Sequence, residues 1–306
     1  MNIELSEINQ GVTGNPSAYV RSVNYAYLSN LTGIATDIAF HREERPIILL
    51  SGPSGSGKTT SALMIEKLLD EQGIETHTLS LDNYFSPLSD YEKELFSEGK
   101  LDLESPNRID RDFLTEQLTS IYHCEPVPLP TYDFRESARI FDGSVLHRKQ
   151  GELVILEGIH SLNPDIIDFP DENTAKIYVS VRTRITQDGR ELHPSKIRLM
   201  RRLVRDLLFR KRSFKDTLMM FDSVEDGENK YIMPYKYRST YDVDTFMAYE
   251  ICAYQPFLMD AFRKMADEPI IKEMLDFLEN TAPLERKEIT PDSLVCEFIG
   301  EGQFNS

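Results

Sequence analysis

The amino-acid sequence predicts an α/β protein: a parallel sheet flanked by helices on both faces. Two patterns carry that prediction. Short aliphatic or β-branched runs at 47–51, 76–81, 153–157 and 177–181 read as buried strands, and helical periodicity lies between them at about 59–71, 110–122 and 195–210. Strands that alternate with helices are joined by crossovers, which make the sheet parallel and put ligands beyond the carboxyl ends of its strands. A glycine-rich segment directly after the first strand sits at such an end.

Composition narrows the function classes. The 306 residues include 34 Lys and Arg against 51 Asp and Glu, a formal charge of −17, which argues against a protein that binds nucleic acid by neutralising phosphates. With 40% hydrophobic and 28% charged residues the chain reads as an ordinary globular protein. Cys124, Cys252 and Cys296 are odd in number and far apart, which fits neither a disulfide framework nor a zinc ligand set and points to a reducing compartment. Glu4 and Glu7 stand where a signal peptide needs basic residues, and the aliphatic runs fall far short of the ~20 residues that span a bilayer. A soluble, cytoplasmic protein with no membrane partner is expected.

Residues 1–45 are polar, with a turn-like stretch at 11–17 and helical character around 28–41, and are expected to be an appendage. Residues 46–306 are expected to form one domain. Within it, 84–108 reads as a turn-rich substrate loop, 182–215 as a basic segment, and the region from about 243 to 306 as a helical extension interrupted by Pro283, Pro291 and Gly300.

The segment GPSGSGKTT at 52–60 puts Gly52, Gly57, Lys58 and Thr59 at the fixed positions of G-x-x-x-x-G-K-[ST], with Pro53, Ser54, Gly55, Ser56 and Thr60 completing the loop. Glycines let successive backbone N–H groups turn toward phosphate oxygens, Lys58 can reach the β and γ phosphates, and the Thr59 hydroxyl can ligate Mg²⁺. The helix that follows aims its N-terminus at the same anion. A chance match in a chain of this length is on the order of one in a hundred. The motif implies a P-loop nucleotide-binding fold but not a particular reaction.

Two carboxylates fall at strand ends. Asp82 follows the second strand and is placed either to take a proton from an attacking hydroxyl and help hold Mg²⁺, or simply to form a turn before Asn83. Glu157 ends the third strand, where it either faces a metal or is a solvated strand-end residue. With Thr59 they make a chemically sensible Mg²⁺ set.

Between 182 and 215 lie twelve Lys and Arg and three acidic residues, +9 in a chain whose remainder carries −26. On a helix, Arg198, Arg201, Arg202 and Arg205 share an arc of about 100°, and Leu199, Leu203, Val204 and Leu207 lie opposite. The sequence alone allows a phosphate-gripping face or a solvated basic face.

The motifs GPSGSGKTT, LSLDNYF (79–85), LPTYDF (129–134), VILEGIHSL (154–162) and RLMRRLVRD (198–206), in this order, resemble the uridine kinase and phosphoribulokinase branch of P-loop kinases. PDSLVCEFIG (291–300) looks like the tail of a bacterial uridine-kinase-like subfamily. The resemblance implies ATP and Mg²⁺ as cofactors. Asp82 would be general base toward a nucleoside 5′-hydroxyl, with Thr59, Asp82 and Glu157 around the metal. Tyr132 would line the nucleoside site, where Tyr84 and Arg198 would also meet substrate, and Glu104 would bind ribose hydroxyls. Arg201, Arg202 and Arg205 would close over the phosphates, Arg202 on ATP and Arg201 and Arg205 with Lys58 in catalysis. Self-association would also follow. Two positions depart from the pattern: Ser137 where uridine-cytidine kinases carry a His, and Arg210-Lys211 where the lid often reads Arg-Gly.

The expected function is ATP-dependent phosphorylation of uridine or cytidine. The alternatives are the same chemistry on a sugar phosphate, vitamin precursor or polyol, or a regulatory nucleotide-binding protein. The scarcity of cations in 84–108 favours a neutral nucleoside over an anionic acceptor.

Overall fold

The structure is a computed structural model that describes residues 1–98 and 100–304. Its central sheet has five parallel strands, β1 (Ile47–Ser51), β2 (Thr76–Ser80), β3 (Leu153–Glu157), β4 (Thr174–Ser180) and β5 (Tyr241–Asp244), in the order β5-β4-β1-β3-β2. β1, β3 and β4 are buried along their whole length, which is why they read as continuous apolar runs. Alternate side chains serve opposite faces. Ile48, Leu50, Ile155, Ile177 and Val179 enter one apolar layer, and Ile47, Leu49, Val154, Leu156 and Tyr178 the other.

Three predicted helices form within a residue or so of their expected bounds: α3 (Lys58–Asp70), α5 (Arg111–Tyr122) and α6 (Pro194–Phe209). Asp110 starts α5 by accepting from the Phe113 N–H at 3.2 Å. The substrate loop contains a short helix, α4 (Asp90–Ser97), and packs against α7 (Phe214–Tyr231). An added Cβ on Gly227 of α7 would lie 2.5 Å from the Glu104 Cβ. The C-terminal extension carries α8 (Glu250–Lys264) and α9 (Pro269–Leu278). β5 at its start was not foreseen, because it is a four-residue edge strand with a single buried apolar residue, Val243.

Residues 1–45, expected to be an appendage, are part of the core. Asn2–Glu4 pairs in parallel with Arg184–Gln187, and α1 (Leu5–Gly14) and α2 (Pro16–Phe40) follow. On α2, Val20, Tyr27, Leu31, Ile34 and Ile38 recur at helical spacing, and all five are buried in the same layer as α3. Ser, Asn and Thr elsewhere on α2 obscure that stripe in the sequence. Among the described residues, no helix is long and apolar enough to cross a membrane.

Because Leu31 has no exposed surface, Leu31→Ala is expected to cost about 3 kcal/mol, read as a lower urea midpoint. A dispensable appendage would leave the midpoint unchanged.

Candidate active site

Strand register assembles the site. Glu157 at the end of β3 lies opposite Leu50 of β1 on one side and Ser80 of β2 on the other, so three carboxyl ends stop at one level. The glycine-rich loop leaves β1 there, and Asp82 lies two residues beyond β2 in a 3₁₀ turn, Leu81–Tyr84. Gly158 permits their approach, since a Cβ at that position would meet the Leu81 Cβ at 2.4 Å.

The loop wraps the start of α3. Gly57 caps the helix at φ 86°, a conformation that strains any residue with a Cβ. Lys58 Nζ donates to the Pro53 carbonyl at 3.2 Å, and Thr59 Oγ1 donates to Glu157 Oε1 at 3.5 Å. Ser54 is held from the other side: Arg198 Nη1 donates to its carbonyl at 3.1 Å and Arg202 to its hydroxyl. Ser56 Oγ, Arg202 Nε and Arg205 Nε are buried with no hydrogen-bond partner among the described residues.

Asp82 opens to the cleft yet has protein on most sides. That enclosure raises its carboxyl above the usual range, against the pull of Lys58, Arg210 and Arg108. Burial likewise raises Glu157, and also Glu104, whose charge is favoured by Arg202 and Lys58 but opposed by Asp82. Arg202 is pushed down to about 10, by burial first and by Arg205 second. The site therefore holds unusually placed charges of both signs. Arg108 and Arg210 belong to it as well; the sequence marked Arg210 only as a departure from the lid pattern and gave Arg108 no role in the site. Arg108 ends the substrate loop and Arg210 follows α6.

Several expected roles need correction. Tyr84, expected to meet substrate, has its ring in the core, 5.8 Å from Phe113, with 1% of its surface exposed. Thr60 turns its hydroxyl away from the loop, donating to Glu297 Oε2 at 2.6 Å, so only its backbone N–H remains to serve a phosphate. Arg198 is paired with Glu228 at 2.5 Å as well as with Ser54, which leaves it a loop support rather than a substrate contact. Arg201 has no exposed surface. It donates to both Glu250 oxygens at 2.6 and 3.0 Å, to the Thr245 carbonyl at 2.6 Å and to the Gly55 carbonyl at 3.1 Å. It braces the loop from behind and does not close over phosphates. The expected division of α6 into arginine and leucine faces also breaks down: Arg198, Arg201 and Arg202 are buried, whereas Leu207 is 40% exposed.

Tyr132 is buried, with its hydroxyl donating to the Ser86 carbonyl at 3.3 Å and accepting from Arg108 at 3.4 Å. Its ring meets Phe85 and Phe134 edge-on at 5.6 and 5.1 Å, and Phe134 is largely exposed. Arg108 lies over the Phe85 ring at 4.8 Å.

Residues 47–247 match the Phosphoribulokinase / Uridine kinase family. The chain belongs to this family. It is similar to a uridine kinase of Lactobacillus helveticus (strain DPC 4571), 33% identical over 196 residues that cover 63% of this chain and 83% of that one. A uridine kinase of Ligilactobacillus salivarius (strain UCC118) is 32% identical over 201 residues, 64% of this chain and 84% of the relative. A solved structure from Silicibacter sp. TM1040, named for a fructose transport system kinase, superposes with a TM-score of 0.51 at 17% identity over 69% of this chain and 98% of that one. That likeness supports the fold alone. As a member of the family, this kinase is an ATP-dependent phosphotransferase acting on a hydroxyl group.

Two variants test the site's energetics. Glu250→Ala leaves Arg201 buried without its partner and is expected to cost about 3–5 kcal/mol, seen as a lower melting temperature. Asp82→Asn is not expected to destabilise the ligand-free kinase. A carboxyl whose folded pKa is raised favours the folded state at low pH and loses that contribution as pH climbs through the folded value. The variant is thus expected to melt no lower than the natural protein near pH 7, any difference being screened by solvent at this exposed carboxyl and closing toward about pH 4.

Proposed function

We propose that this kinase transfers the γ-phosphoryl group of ATP to the 5′-hydroxyl of a pyrimidine nucleoside, uridine or cytidine. The observation that carries the reading is Asp82, which stands at the carboxyl end of β2 beside the phosphate loop, with Lys58, Arg108 and Arg210 as its charged neighbours. In that position a carboxylate accepts the proton of an attacking hydroxyl, and the raised pKa makes it a better base. The names of the similar uridine kinases support the choice of acceptor.

ATP fits the residues present. The glycine-rich backbone and the N-terminus of α3 suit its phosphates, and the unpartnered Ser56 Oγ, Arg202 Nε and Arg205 Nε offer donors for phosphate oxygens. Mg²⁺ fits Thr59, Glu157 and Asp82. Among the described residues no group of three or more His, Cys, Asp or Glu could hold a metal, so such an ion draws on the Thr59 hydroxyl, phosphate oxygens and water as well. When bound, it neutralises charge that develops on the phosphates. Lys58, Arg202 and Arg205 are the residues that hold the phosphoryl group in line for attack.

On the acceptor side, Glu104 is half-buried among Arg202, Lys58 and Asp82 and suits ribose hydroxyls. The exposed ring of Phe134, packed on Tyr132, offers a face for a base. Ser137 occupies a tight turn at φ 51° and provides no imidazole, so discrimination between uracil and cytosine rests on other groups.

Asp82→Asn is expected to bind ATP normally and to lose about 10²–10⁴ in kcat, and kcat/KM of the natural protein should rise with pH through an apparent pKa above the ordinary aspartate range. ADP release measured across nucleosides, sugar phosphates and polyols checks the acceptor. Turnover of another hydroxyl compound but of no nucleoside would discard the uridine kinase reading.

A further inference from the structure

The family match ends at residues 47 and 247, yet side chains outside those limits hold the phosphate loop from behind. Four contacts converge on it. Glu297 accepts from Thr60 Oγ1 at 2.6 Å in the first turn of α3. Tyr27 of α2 bonds Ser61 Oγ at 2.7 Å, and Ser61 in turn donates to the Gly57 carbonyl at 2.6 Å. Leu294 lies against Gly57, where an added Cβ would come within 2.8 Å of its Cδ1. Glu250 fixes the Arg201 guanidinium that donates to the Gly55 carbonyl.

These supports are also tied to one another. Tyr249 Oη bonds both Asn24 at 2.6 Å and Ser293 at 2.5 Å, and Asn24 donates to Thr290 Oγ1 at 3.0 Å. Ser293 Oγ accepts from the Val295 N–H at 3.1 Å, at the start of the turn that carries Glu297. The N-terminal helices and the C-terminal segment therefore form one hydrogen-bonded unit behind the loop.

We infer that this unit is a brace for the ATP subsite and that Glu297 is its positioning residue, acting through Thr60. The inference rests on ATP phosphates being held at the N-terminus of α3. Their N–H donors must sit at fixed distances from the phosphate oxygens, and the helix end that carries them is anchored by the Thr60 hydroxyl. Glu297 meets no reacting atom. Its carboxylate lies close enough to Glu157 to disfavour that residue's charge, so its negative charge does nothing to attract a polyanion. Its service is the acceptor geometry, and glutamine can supply that.

The test uses the full-length protein and MgATP, with affinity measured by calorimetry and melting temperature followed for every variant. Glu297→Ala is expected to weaken MgATP binding about tenfold, the scale of one lost buried hydrogen bond, while KM for uridine stays within about twofold. Glu297→Gln is expected to bind MgATP as tightly as the natural protein or more tightly. Thr60→Val should reproduce the alanine effect, and the double variant should be no weaker than either single one, because both remove the same contact. A Glu297→Ala protein that melts lower yet binds MgATP normally overturns the inference, provided Lys58→Ala abolishes binding. If Lys58→Ala binds as well as the natural protein, the assignment of ATP to this loop fails first. Should Glu297→Ala not fold, Tyr27→Phe removes only the hydroxyl on Ser61 and is expected to weaken MgATP about threefold. Unchanged affinity there, or a weakening by Glu297→Gln equal to that by Tyr27→Phe, counts against the brace.

Discussion

Everything at the site depends on the register of three parallel strands. Because Leu50, Ser80 and Glu157 stand side by side, the loop after β1, the turn after β2 and the last residue of β3 meet at one edge. A shift of one residue in either pairing would turn Glu157 into an apolar layer and carry Asp82 away from the loop. Burial on both faces fixes the register of β1 against β3, and the half-buried edge strand β2 is held to β3 by its hydrogen-bond ladder. The core thus serves the chemistry directly: the same side chains that exclude water also set the distance between carboxylate and phosphate loop.

The charges at that edge are arranged at a cost to stability. Asp82, Glu104 and Glu157 are crowded enough that each is harder to ionise, and Arg202 is enclosed beside Arg205. Isolated from ligand, such groups oppose folding. They are tolerated because neighbouring charges are neutralised at fixed points: Arg201 by Glu250, and Arg205, Arg210 and Arg212 around the fully buried Asp206. Asp206 draws three guanidinium groups together at the end of α6, Arg205 largely enclosed and Arg210 and Arg212 reaching solvent, and so offsets part of their charge. Two kinds of arginine therefore share one helix, those that hold the fold and those with unpartnered donors toward the cleft.

Much of this was legible in the sequence. The glycine-rich loop stands out because it needs particular residues at fixed spacings after an apolar strand, whereas Asp82 and Glu157 were placed at strand ends with a turn or a solvated terminus as open alternatives. The arginines did not sort themselves in the same way. A helical wheel shows that Arg198, Arg201, Arg202 and Arg205 share an arc, but burial of that arc depends on Glu228 and Glu250, which come from other helices and have no periodic signature. Thr60 misled for a related reason: its place in the loop motif suggests a phosphate ligand, while the acceptor that claims its hydroxyl lies 237 positions away. The N-terminal helix was undervalued because its apolar stripe is diluted by polar neighbours, and β5 because an edge strand needs only one buried side chain.

The pairing of the two ends of the chain has a consequence for how the protein comes into being. Asn24 bonds a residue 266 positions later, and the segment Asn2–Glu4 joins a strand that begins at Arg184. During synthesis α2 can meet α3 soon after it emerges, since Tyr27 bonds Ser61 only 34 positions on, whereas its contacts with the C-terminal segment must wait. At ordinary elongation rates of about 5–20 residues per second the wait is on the order of ten to fifty seconds. The central strands can pair in the meantime, whereas closure of the outer layer is a late, non-local and intrinsically slow event. Until that closure the phosphate loop lacks its support from Glu297 and Leu294, so the nucleotide site is among the last parts of the protein to be completed.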